Sequence, residues 1–432
     1  MLLCGWPGLM PAGEPSHCLG TFATFWPFRR MVTRRTRGSM TPVKMNDDAI
    51  LPSQRELFDL PDDVAFLNCA NMSPQLRAVT RAGVEAVKRK ARPWGVSGRE
   101  WLGGVEPLRD AAARLMGADR DGIALIPAAS YGIAIAAANV PLRQGQNIVV
   151  LHEQFPSNVY AWRELATSRG AVVRTARKAA NDAWTDAVLD AIDQDTGIVA
   201  VPPCHWTDGA VVDLVRVAER ARVAGASLVV DASQAFGIWP IDVAAVQPDF
   251  LVSVGYKWQL GPYSLGYLYA SPKWRESGRP LEASWMTRAG AENFAALVDY
   301  VDDYRPGARR FDMGEFSQFV LAPMALAGLT QLLKWTVARL QFTLRRLTEL
   351  IADEARAMGC TVLPSDRRVG HMLGIRLPDG IPEVLPRRLE EARVLVSVRG
   401  DAIRVSPHAY NSEDDVGRFL SVLRDGIEGA PM

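Results

Sequence analysis

The sequence is poor in the residues that mark several common functions. Its five cysteines, Cys4, Cys18, Cys69, Cys204 and Cys360, stand apart with no close pair. That spacing argues against a disulfide framework and a C-x-x-C metal site. The five histidines are isolated in sequence and none belongs to an H-E-x-x-H pattern. No metal is therefore expected. An excess of either charge is also missing, since 49 Lys and Arg against 48 Asp and Glu leave a formal net charge of +1. Nothing in that balance favours nucleic acid or a membrane surface as partner. No run reaches the roughly 18 uninterrupted apolar residues of a membrane-spanning helix. There is no G-x-G-x-x-G after an early strand, no G-x-x-x-x-G-K-[ST] and no G-x-S-x-G elbow. Scattered cysteines and the lack of an export signal point to the cytoplasm, with small molecules as the expected partners.

What is present suits one large core plus a smaller unit, since the chain has 432 residues. Residues 1–45 mix Gly, Pro and aromatics without periodicity and then turn basic at Arg29, Arg30, Arg34, Arg35 and Arg37. They read as a disordered leader or a misassigned start, with Met40 or Met45 as a sensible first residue. A nucleic-acid-binding tail is the rival reading of the same arginines. Beyond them, apolar runs alternate with helical stretches. The runs are "GIALIP", "NIVVLH", "AVVRTA", "GIVAVPP", "SLVVDAS", "DFLVSVG" and "LGYLYAS". Runs apolar on both faces, separated by helices, predict an α/β fold with a mainly parallel sheet between helices. After Pro272 the pattern changes. One long helical stretch, "MALAGLTQLLKWTVARLQFTLRRLTELIADEARAMG", precedes short strands and a last helix with Ser412 as its N-cap. A large domain over 57–310 and a smaller α+β domain over 311–432 are expected, with 46–56 packed against the latter.

Such sheets bind ligands beyond the carboxyl ends of their strands. Asp231 follows "SLVV", and Lys257 lies 26 residues later in "SVGYKW". Pyridoxal phosphate needs that pair: a lysine for its aldehyde and a carboxylate to keep its ring nitrogen protonated. It also needs a phosphate cradle of backbone amides and hydroxyls. "PAASYGIAIAAA" supplies small residues after a strand, with Ser130 and Tyr256 as hydroxyl donors, and Phe155 could cover one ring face. Each residue alone has an ordinary explanation. Asp231 and Ser130 could be helix caps, Phe155 core, and Lys257 a surface lysine. Their order and spacing together are harder to explain that way.

With "VVDASQAFGIWPIDV", "DFLVSVGYKWQLGPYSLGYLY", "EQFPSNVYAW" and "IRVSPHAYNSEDDVGRFL", the sequence resembles the class V aminotransferase family over residues 57–423. These are fold-type I enzymes dependent on pyridoxal phosphate. The group includes cysteine desulfurases, kynureninase and isopenicillin N epimerase-like proteins. The resemblance implies that Lys257 bonds to the cofactor and then moves the substrate's α-proton. It implies that Asp231 pairs with the ring nitrogen and that Gln234 contacts the phenolic oxygen or the phosphate. Ala129, Ser130 and Tyr256 would hold the phosphate, and Phe155 would stack on the ring. Thr207, with His205 beside it, lies where the family has a polar cofactor contact. Arg404, with Arg399 as a second candidate, matches the arginine that grips a substrate carboxylate.

Departures narrow the expectation. Desulfurases carry a nucleophilic Cys on a loop shortly before the matching arginine. Here "ARVLVSVRGDAIRVSP" has no Cys and no room for that loop. Tyr256 stands where desulfurases have His. A homodimer with shared active sites is implied, with Glu315 or Ser317 of "RRFDMGEFSQF" near the neighbouring subunit's phosphate. The expected activity is transamination of an amino acid or similar carboxylate-bearing amine. A lyase or epimerase reaction is the alternative, and a catalytically silent binding protein on the same fold a further one.

Overall fold

The computed structural model describes residues 50–179 and 182–429. The leader of residues 1–45, with the expectations attached to it, lies outside the described residues. The strands are β1 (Ala65–Phe66), β2 (Ile123–Ile126), β3 (Asn147–Leu151), β4 (Val172–Ala176), β5 (Thr196–Val201), β6 (Ser227–Asp231), β7 (Phe250–Val254) and β8 (Gly266–Ala270). They continue with β9 (Thr361–Val362), β10 (Leu373–Arg376), β11 (Val394–Leu395), β12 (Ser397–Arg399) and β13 (Ala402–Val405).

A seven-stranded sheet has the order β2-β8-β7-β6-β5-β3-β4. Its pairings are parallel except the two made by β8. The strands β2, β3, β5, β6, β7 and β8 are buried along their whole length. That is why they read as unbroken apolar runs. Successive side chains point to opposite faces. Along β6, Leu228 and Val230 enter one core and Val229 the other. Helices Ala129–Asn139 and Tyr160–Arg169 pack on the Val229 face, and Trp184–Ala191 and Leu214–Ala224 on the opposite one. Only the edge strand β4 is substantially exposed, at Val172 and Thr175.

Downstream lies a second, antiparallel sheet, β12-β13-β10-β9, accompanied by helices Val337–Ala357, Val384–Glu391 and Glu413–Glu428. The last helix starts at a capping box. Ser412 Oγ accepts from the Asp415 amide at 3.4 Å, and the Asp415 carboxylate accepts from the Ser412 amide at 3.2 Å. The long helical stretch expected before this sheet is divided. Helix Leu321–Trp335 ends at Thr336, which takes φ 65° and ψ 141°, and a new helix begins at Val337. Thr336 Oγ1 then accepts from the Arg339 amide at 3.3 Å, so the break is itself an N-cap. Apolar periodicity continues through Thr336 and hides the break.

Two features lock the segments around the main sheet. Arg109 makes a two-pronged pair with Asp312 at 2.8 and 2.7 Å, and both side chains are fully buried. Asp312 also accepts from the Leu125 amide of β2 at 2.8 Å. The amino-terminal segment crosses to the downstream part. The Gln54 amide donates to Ala409 O at 2.8 Å, and β1 pairs in parallel with β11. The chain then passes the Lys257 loop, where the Ser73 amide donates to Tyr256 O at 3.0 Å. Among the described residues, no helix is long and apolar enough to cross a membrane.

Candidate active site

A cavity of about 440 Å³ opens beyond the carboxyl ends of β2, β3, β5, β6 and β7. Its wall includes Ala129, Ser130, Phe155, Asp231, Gln234, Tyr256 and Lys257. Seven residues separated by up to 128 positions in sequence therefore meet in one place because parallel strands end on one side of a sheet.

Lys257 is 6% exposed. Its Nζ sits 5.3 Å from the Phe155 ring centre and 5.8 Å from the Tyr256 ring. Burial pushes its ammonium down to about 8, the Asp231 carboxylate opposes this, and Arg404 and Arg399 add to it. Its loop is tightly held. The Gly255 amide donates to Leu265 O at 2.9 Å, and a Cβ on Gly255 would lie 2.4 Å from that oxygen. Trp258 is fully buried and its Nε1 donates to Gln234 Oε1 at 2.8 Å. The aromatic neighbours of Lys257 thus fix the loop that carries it.

Asp231 ends β6 and is almost fully buried. Its Oδ1 accepts from the Ser233 amide at 3.0 Å. Gln234 Nε2 donates to Ala70 O at 3.0 Å, so its amide is anchored on both sides. Helix Ala129–Asn139 begins at the cavity, and its N-cap Ala128 offers no side-chain bond to the first amides. Its amino end is left facing the cavity wall with positive partial charge.

The structure does not bring every expected residue to this wall. His205 and Thr207 line an adjacent cleft of about 590 Å³. There His205 Nδ1 lies 2.7 Å from Thr207 Oγ1, Nε2 lies 3.1 Å from His152 O, and the ring stacks on Trp184 at 5.0 Å. Arg404 and Arg399 are not part of the wall but stand beside Trp206, which does line the cavity. Their guanidinium carbons are 6.0 and 5.8 Å from its ring centre. Glu315 is not part of the wall, and Ser317 Oγ donates to Trp101 O.

Gln154, Trp206, Ser233, Tyr263 and Ser264, to none of which the sequence assigned a role, also line the cavity. Gln154 and Ser233 adjoin predicted residues and were within reach. Tyr263 and Ser264 arrive by the turn after Lys257, where Ser264 takes φ 63°, and no pattern marks them.

The wall suits pyridoxal phosphate. Ser233 Oγ and Gln154 Nε2 are buried, lie on it and have no partner among the described residues. Unpaired buried polar atoms are costly and imply a polar occupant. The uncapped helix end suits a phosphate, and the volume falls within the ~300–1,000 Å³ usual for small-molecule pockets.

Comparison with known proteins agrees. The family model described as aminotransferase class-V matches residues 90–297. A protein of Methanothermobacter thermautotrophicus named "Probable cysteine desulfurase" is 31% identical over 278 residues, covering 57% of this chain and 68% of its own length. The "Uncharacterized aminotransferase YcbU" of Bacillus subtilis is 24% identical over 392 residues, covering 86% and 97%. Proteins named isopenicillin N epimerase and kynureninase match as well. A solved structure of C-DES with glycine covalently linked to its PLP cofactor superposes with a TM-score of 0.77 at 17% identity, covering 86% of this chain and 99% of that one. The chain belongs to the class V aminotransferase family and is an enzyme of fold type I whose cofactor is pyridoxal phosphate.

Proposed function

We propose that the enzyme transaminates an amino acid or a related amine bearing a carboxylate. The observation that carries this is the buried Lys257 amine, pushed down to about 8 beneath the Phe155 ring and sharing a wall with Asp231. When bound, the cofactor supplies an electron sink that stabilises negative charge at the substrate's α-carbon. Lys257 would hold its aldehyde, Asp231 its ring nitrogen, and Phe155 one ring face. The amides at Ala129 and Ser130 would hold the phosphate, with the Ser130, Ser233 and Tyr256 hydroxyls beside them. Gln234 keeps one amide hydrogen for the cofactor, its other bonds going to Ala70 and Trp258.

The chain's own groups account for the proton movements. A Lys257 amine near 8 has a substantial neutral fraction close to neutral pH, whereas an ordinary lysine has almost none. Its Nζ can take a proton from the substrate's α-carbon and return it elsewhere. Arg404 is 1% exposed and points a guanidinium toward the Trp206 wall, which suits a substrate carboxylate. His205 and Thr207 act from behind by holding the turn that carries Trp206.

A desulfurase reading finds no support in the thiols of the described residues. Cys69, Cys204 and Cys360 are free and buried, and burial raises all three well away from the thiolate form. Free buried cysteines fit a cytoplasmic setting. Trp101, Trp285 and Phe294 form an exposed ring cluster at 5.6–6.3 Å, which suits a second copy of this chain in a homodimer. The division into a large domain over 57–310 and a smaller one over 311–432 belongs to the same proposal.

Incubation with single amino acids and a 2-oxo acid, followed by product identification, tests the activity. The expected products are a new 2-oxo acid and a new amino acid in equal amounts. Release of ammonia, side-chain cleavage or inversion at the α-carbon would replace transamination by a lyase or epimerase reaction.

A further inference from the structure

Among the described residues, buried guanidinium groups come with carboxylates, except one. Arg109 pairs with Asp312 at 2.7 Å, Arg309 with Glu106 at 2.6 Å and Arg368 with Glu349 at 3.5 Å. Arg404 is as buried as Arg368, yet no described carboxylate lies within ion-pair distance of it. Its Nη1 donates to Trp206 O at 2.9 Å, and its Nε is buried without a partner among the described residues. A buried charge left unpaired is strongly unfavourable, so the missing anion comes from outside the described residues.

Arg399 repeats the pattern on the same indole. It is partly buried and also lacks a carboxylate partner among the described residues. Its Nη1 donates to Val398 O at 2.8 Å, and Nη2 donates to Asn71 Oδ1 at 3.3 Å. Asn71 follows Ala70, whose carbonyl receives the Gln234 amide from the cavity wall. Arg399 therefore touches Trp206 of the cavity wall and the segment at Ala70, which is hydrogen-bonded to Gln234 of that wall. The two guanidinium carbons lie 5.8 and 6.0 Å from one ring centre. They can be no farther apart than those distances laid end to end, a span that a short dicarboxylate can bridge. Within the cavity wall itself Asp231 is the sole acidic residue, at the strand end that faces the cofactor's ring. Nothing acidic in the described wall competes for these cations.

We infer that Arg404 and Arg399, both set against the Trp206 ring, form a two-anion receptor, so that the substrate carries a second acidic group besides its α-carboxylate. Acidic amino acids and 2-oxo dicarboxylates are the matching class. This rests on reading the cavity as the substrate site. Burial and the mutual repulsion of the two cations push Arg404 down to about 9, which a bound dianion would reverse.

The test uses the cofactor-loaded protein and calorimetric titration with succinate and with succinamate, its monoamide of nearly equal size. Succinate should bind at least about tenfold tighter, the scale of one charge-assisted hydrogen-bonded pair. Arg399→Gln should bring succinate down to the succinamate level, and Arg399→Lys should restore part of the difference. Equal binding of the two ligands by the wild-type protein overturns the receptor, as does a difference that survives in Arg399→Gln. A kinetic arm compares glutamate with glutamine and aspartate with asparagine, with the acid of each pair expected to show the higher kcat/KM. If amino acids react without that preference, the receptor fails while transamination stands. If succinate outbinds succinamate but no 2-oxo acid forms, transamination fails while the receptor stands.

Discussion

Lys257 shows how a residue that looks misplaced by composition can suit the proposed cofactor site. A lysine flanked by Tyr256 and Trp258 violates the usual preference of ammonium for water. Burial shifts it from the ordinary 10.5 to about 8. The neutral amine is the form that attacks an aldehyde, and its fraction rises with pH until the group is fully deprotonated. Cofactor uptake by the apoprotein should therefore accelerate about tenfold per pH unit below 8 and level off above it. Stopped-flow absorbance measures this, and a rate that keeps climbing toward pH 10.5 would show an unperturbed lysine instead. Asp231→Asn should retain folding yet lose about 100-fold or more in kcat, since a neutral amide cannot hold a positive ring nitrogen. Steady-state assays on the loaded variant check it.

At the scale of elements, six strands of the main sheet were legible because each is buried on both faces and reads as a continuous apolar run. The "GIALIP" and "SLVVDAS" runs became β2 and β6 at almost the same residues. Thr336 was not legible, because a left-handed φ leaves no trace in apolar periodicity. The Lys257 loop depends on close backbone approach. Gly255→Ala would set a Cβ against Leu265 O and should cost about 1–3 kcal/mol of stability, read by denaturant unfolding. The same variant should weaken cofactor retention, because it displaces the strand end that carries Lys257. At the carboxyl-terminal helix, Ser412→Ala removes a cap and should cost about 1 kcal/mol, with little effect on kcat.

Across the whole molecule, the site forms only when distant segments converge, and this sets what a sequence can disclose. Asp231 and Lys257 were readable because the cofactor's chemistry demands their types in that order. Ser264 and Tyr263 were not, since a turn rather than a motif delivers them. His205 and Thr207 were expected at the wall because the resemblance puts a polar cofactor contact at their position. The turn after β5 sends Trp206 inward and those two toward Trp184. Global stability leans on the buried Arg109–Asp312 pair, which ties β2 to the segment after residue 306. Arg109→Ala strands a buried carboxylate and should cost about 3–5 kcal/mol, whereas replacing both partners with apolar residues should cost much less. Thermal unfolding of the single and double variants separates the two.

The central claim is that Lys257 is the residue that bears the cofactor. Borohydride reduction of the cofactor-loaded protein, followed by proteolysis and mass spectrometry, locates the covalent adduct directly. The account predicts a single pyridoxyl-phosphate modification on Lys257, absent from Lys257→Ala. An adduct on any other lysine, or none in the yellow wild-type protein, would contradict it.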